Sequence, residues 1–63
     1  MIDYNLVSYI AYTVENNTMT SFDILMEDKE FSKQANKAFL KADHNNYEEL
    51  AIQLTTYANN NLI

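Results

Sequence analysis

Leu6, Val7, Ile10, Ala11 and Val14 recur at the i, i+3, i+4, i+7 spacing that lays one apolar stripe along a helix. Asp3 stands just before this run and can accept the first free amides, so a helix is predicted from there to about Glu15. Tyr4, Tyr9 and Tyr12 fall on the flanks of the stripe, where a ring covers the core edge and its hydroxyl reaches water. The last third repeats the pattern with Tyr47, Leu50, Ala51, Leu54, Tyr57 and Ala58 inside and Glu49, Gln53, Thr56 and Asn60 outside; Ile52 is left on the polar side. Its start, "NNYEEL", reads as a capping box, with Asn46 as cap, Glu49 as the reciprocal residue, and Glu48 adding charge that suits the positive helix end.

The middle of the chain is open to two readings. Thr20 can cap a helix with Asp23 answering three residues on, and that helix can run unbroken to Ala42. The alternative is a short turn through Ile24, Leu25 and Met26, a break near Glu27 or Asp28, and a second helix to Ala42. In either case Phe31, Ala35, Ala38, Phe39 and Ala42 share one side, and Lys29, Lys33, Lys37 and Lys41 spread over about 120° of the other, with Leu40 among them. The chain has no Gly and no Pro, so Asn is expected to punctuate it, at Asn16-Asn17, Asn45-Asn46 and Asn59–Asn61, the last group fraying. β-Branched residues are scattered without strict alternation. The expectation is an all-α fold, a small three- or four-helix bundle with residues 1–63 as a single domain.

Sixty-three residues lie near the size at which one core only just outweighs chain entropy, and without cysteine no disulfide can help. An apolar fraction of 48% with five Tyr and three Phe is nevertheless too rich in core-forming residues for a disordered acidic tail. Net charge is −5, all of it in residues 1–30, which hold six acids and one lysine; residues 31–63 hold three of each. An acidic chain lacks the broad basic footprint of a general nucleic-acid binder, so a basic protein is the expected partner. The chain shows no basic segment followed by an apolar run and no stretch of about 18 apolar residues, which predicts a cytoplasmic protein without a membrane span. Asn16-Asn17-Thr18 fits the glycosylation triplet, and in that compartment the match carries no modification.

Two charged surfaces are candidates for recognition. Lysines four apart on a helix repel one another by a few tenths of a kcal/mol. The row can be structural, complementing the macrodipole and pairing with Glu30, Glu48 or Glu15. It can also be functional, with Lys33, Lys37 and Lys41 meeting an acidic patch or a run of phosphates. With no arginine, and only Gln34 and Asn36 to reach base edges, sequence-specific DNA reading is not expected. The second surface is acidic: Glu15, Asp23, Glu27, Asp28 and Glu30 can form a concentrated negative face that imitates a phosphate row. Tyr9, Tyr12, Leu40 and Ile52 are candidate apolar contacts, including contacts in a homodimer or a self-assembling subunit.

Catalytic chemistry finds little here. There is no cysteine, and the single histidine, His44, sits in the expected "DHNN" turn without a glycine-elbow serine. Phosphate loops need glycines that are absent. Asp43 and His44 lack further ligands at metal-binding spacing, and "DILMEDKE" lacks the glycine-turned loop of a calcium site, so no enzyme activity, metal or cofactor is expected.

"ANKAF" (Ala35 to Phe39) followed by "YEELAIQL" (Tyr47 to Leu54) resembles the YozE-like family of small SAM-like helical proteins, in which an A-N-x-A-[FY] helix precedes [DN]-[FY]-x-E-[IL]. The matching positions are Ala35, Asn36, Ala38, Phe39, Asn46, Tyr47, Glu49 and Leu50, within some twenty residues; the family's F-P-K turn and final aromatic helix have no counterpart. The resemblance implies a compact helical bundle and no chemistry. The functional expectation is a small acidic protein-binding module or inhibitor. One form is a phage or mobile-element protein that blocks a basic nucleic-acid-binding protein by charge mimicry. The alternatives are a nucleic-acid-associated regulator using the lysine row and a self-assembling structural subunit.

Overall fold

A computed structural model describes residues 2–63. Among the described residues there are four helices and no strand: α1 (Tyr4–Thr18), α2 (Phe22–Leu25), α3 (Lys29–Lys41) and α4 (Tyr47–Asn61). The radius of gyration is 10.5 Å, against about 10.6 Å for a packed chain of this length. The small all-α bundle expected from the periodicity is the fold observed, and the middle segment takes the two-helix alternative.

Ile10 and Val14 of α1, Leu25 of α2, Phe31, Ala35 and Ala38 of α3 and Leu50, Ala51, Leu54 and Ala58 of α4 form the core. Four of these ten are alanines, and Phe31 is the largest fully buried side chain. The ring of Phe31 meets Phe22 edge-on at 5.5 Å and Tyr57 at 6.4 Å. The Phe31–Tyr57 contact, with Ala38 beside Leu50, makes α3 and α4 an antiparallel hairpin. The most extensive helix pairing is between α1 and α4, with Tyr9 edge-on to Tyr47 at 4.9 Å.

The helix ends depart from the expected asparagine punctuation. Asp3 caps α1 as expected, its Oδ1 accepting from the Asn5 amide at 3.0 Å. That helix then runs through Asn16-Asn17 to Thr18, because the Asn17 amide turns back to donate to the Thr13 carbonyl at 2.7 Å. The left-handed residue that ends it is Met19 (φ 56°), whose N–H donates to the Glu15 carbonyl. Asn59–Asn61 likewise lie inside α4, where Asn61 donates to the Tyr57 carbonyl at 3.0 Å, rather than in a frayed tail.

Neither expected capping box forms. The residue before α2 is Ser21, which makes no side-chain cap; Glu15 of α1 supplies it instead, its Oε2 accepting from the Phe22 amide at 2.6 Å. Asn46 precedes α4, but its side chain faces the incoming chain, accepting from the Asp43 amide at 2.7 Å and donating to the Lys41 carbonyl at 2.9 Å. Asp43 Oδ1 in turn accepts from the amides of Asn45 and Asn46. The α3–α4 connection is thus knitted by its own side chains, and Glu49 is left to accept from Gln53.

Candidate interaction surface

The five acids expected to form one face divide into two groups. Glu15 is half-buried and holds the start of α2. Asp28 is the N-cap of α3, its Oδ2 accepting from the Phe31 amide at 2.8 Å. These two are therefore fixed to backbone donors, where a carboxylate also suits the positive end of a helix. Asp23, Glu27 and Glu30 remain exposed.

Between the first two lies a residue that the sequence reading did not single out. α2 has four residues, too few to bury more than one side; Leu25 goes into the core, Phe22 and Met26 pack partly against it, and Ile24 is left 58% exposed. Met19, in the link from α1, is 88% exposed and held in the left-handed region that Gly or Asn occupies at least cost. Nine residues of chain, 19–27, thus carry two exposed apolar side chains and two free carboxylates. The interrupted acidic-apolar string "DILME" is the signal that could have found this corner, once α2 is recognised as a single turn.

Lys33, Lys37 and Lys41 are all exposed on α3, as is Leu40 among them. The expected intrahelical pairing is not made: Glu30 accepts from Gln34 at 3.2 Å. Among the described residues no lysine reaches ion-pair distance of a carboxylate. Lys37 and Lys41 border a half-open groove of about 130 Å³ between α3 and α4, with Gln34 and Gln53 beside them and a floor of Ala38, Leu50 and Leu54. Lys33 lies outside it.

The four apolar contact candidates sit on three helices, Tyr9 and Tyr12 on α1, Leu40 on α3 and Ile52 on α4. Tyr9 is partly covered by Tyr47. Tyr12, Leu40 and Ile52 are exposed on three different helices.

Tyr57 marks where the acidic corner meets α4. Its ring is half-buried, and its pKa is raised from the ordinary 10.0, first by burial and then by the negative charges of Asp28 and Glu30. For an acid whose neutral form is favoured on folding, the contribution is complete below 10.0 and is lost as pH climbs through the raised value. Tyr57→Phe is expected to change stability little at neutral pH. It should flatten the decline of unfolding free energy on the alkaline side, read by urea titration at a series of pH values.

Among the described residues, no three metal-ligating side chains come together and no helix is long and apolar enough to cross a membrane. No protein family, curated protein or solved structure matches this chain.

Proposed function

We propose that the chain is a small, non-enzymatic protein-binding module that docks on a basic partner through the acidic α2 corner. The observation that carries this reading is Ile24, exposed on a one-turn helix between the free carboxylates Asp23 and Glu27. An apolar anchor rimmed by like charges has the composition of a docking site, in which the anchor supplies affinity and the charges supply steering and partner choice. Met19 supports it as a second exposed apolar side chain in the α1–α2 link, held in the left-handed conformation that closes α1.

With Glu15 and Asp28 engaged as caps, the surface is a compact acidic knob rather than a long phosphate-like row. Such a knob suits the mouth of a basic nucleic-acid channel, and blocking that channel is the inhibitory form of the proposal. The resemblance to the YozE-like family fits a bundle of this kind and adds no chemistry.

Met19→Gly separates the two roles of that residue. It is expected to raise unfolding free energy by about 0.5–1 kcal/mol, measured by urea titration, while reducing partner capture. Immobilised wild-type protein should retain a basic protein from its native host at low salt and release it at high salt, and Ile24→Asp should retain less. If nothing basic is held at low salt, the docking reading is wrong.

A second reading, binding to nucleic acid, draws on the exposed and unpaired Lys33, Lys37 and Lys41. A gel-shift series with all three changed to Glu tests it, and unchanged binding rejects it.

A further inference from the structure

We infer that the molecule pairs with a second copy of itself, the acidic α2 corner of each copy seated in the α3–α4 groove of the other. The molecule carries both halves of the contact, and neither is answered within its own chain. The groove offers two ammonium groups, Lys37 and Lys41, and two carboxamides, Gln34 and Gln53, above an apolar floor. The corner offers Ile24 together with Asp23 and Glu27, four residues apart and both exposed, which matches the four-residue spacing of Lys37 and Lys41. An aliphatic side chain on the floor with a carboxylate directed to each ammonium is the occupant that such a lining selects, since a neutral apolar segment would leave the lysines unanswered and a bare phosphate would leave the floor wet. The volume of about 130 Å³ is close to the ~150 Å³ of apolar cavities that accept a benzene-sized group, which is the scale of one branched side chain.

A chain cannot make this contact with itself. The corner adjoins the start of α3, and the groove lysines Lys37 and Lys41 lie further along that rigid helix from Lys29, about 12 and 18 Å away at 1.5 Å per residue. A second copy turned end for end presents its groove to the first copy's corner and its corner to the first copy's groove. The contact is then made twice and closes as a two-fold dimer, the commonest oligomeric symmetry. The net charge of −5 on each copy opposes association at long range, so the pair is held by local charge matching and should loosen as salt screens it.

Pairing and docking on a basic partner use the same corner, yet neither requires the other. Sedimentation of the pure chain tests pairing, whereas capture from the host tests docking, so either can fail alone. The pairing test is analytical ultracentrifugation of the full chain at low salt, from micromolar to millimolar concentration, on the wild type, on Lys37→Glu/Lys41→Glu and on Asp23→Lys/Glu27→Lys.

The wild type is expected to pass from monomer to dimer and to revert at high salt. Each charge-reversed variant alone should stay monomeric, and an equimolar mixture of the two should dimerise, because each then offers the charge the other lacks. A wild type that stays monomeric up to millimolar concentration overturns the inference, whether the groove then serves an acidic peptide, a phosphate or nothing. So does a dimer that survives in either variant, or a mixture that remains monomeric. Circular dichroism checks that each variant is helical. Should one fail to fold, Lys37→Gln/Lys41→Gln and Asp23→Asn/Glu27→Gln take their place, with dimer affinity expected to fall at least tenfold and an unchanged affinity overturning the inference.

Discussion

Phe31→Ala is expected to remove half or more of the unfolding free energy, read by urea titration of the helical circular dichroism signal. The ring is fully buried and touches the aromatic rings of Phe22 and Tyr57. Truncating such a residue removes its transfer free energy and leaves a cavity, together about 3–5 kcal/mol. A domain of this size has only about 3–9 kcal/mol in total. Phe31→Leu keeps most of the volume and is expected to stay folded, with a loss nearer 1–1.5 kcal/mol in urea titration. Equal behaviour of the two variants would show that volume at this site is not what holds the bundle.

Glu15→Ala should have the next largest effect, and it acts at a distance along the chain. The carboxylate accepts from the Phe22 amide and is the side-chain cap of a helix only four residues long. A charge-assisted hydrogen bond of this kind contributes about 1.5–3 kcal/mol, and the lower half of that range applies where water has partial access. Without it α2 loses its anchor to α1, and Phe22 is freed to leave the Phe31 and Phe39 rings it now meets. Glu15→Gln retains an acceptor oxygen without the charge and should recover about half of the loss. Hydrogen exchange offers the sharper readout. Amides of Leu25 and Met26, which donate to Ser21 and Phe22, should lose protection in Glu15→Ala before those of α4 do. If α2 and α4 lose protection together, the carboxylate supports the whole bundle rather than this one turn.

The sequence pattern and the structure agree where burial alone decides. The stripe of α1, the inward set of α3 and the buried face of α4 follow from apolar periodicity, because each helix has one neighbour-facing side and the polar residues have water as their alternative. Agreement fails where one polar group must choose among partners of similar energy. Asn17 and Asn61 can end a helix or donate back to the carbonyl four residues earlier, and they do the latter. Asn46 can answer the amides ahead of it or those behind, and Asp43 decides the matter by gathering the turn. The candidate site shows the same limit. Local spacing makes Glu15 and Asp28 look like surface charge; only the tertiary position of α2 turns Glu15 into a cap seven residues away. Ile24 was hidden for a related reason, since its exposure depends on α2 stopping after a single turn.

The turn in which Asn46 bridges Asp43 and Lys41 bears on the order in which the chain gathers itself. It brings Ala38 and Leu50 together across only a dozen residues, so closing the α3–α4 hairpin fixes little chain and can come early in folding. Bringing Tyr9 to Tyr47 instead closes a loop of nearly forty residues. The α3–α4 hairpin is therefore expected to be formed in the transition state and α1 to dock after it, an order that φ-values at Ala38 and Ile10 read.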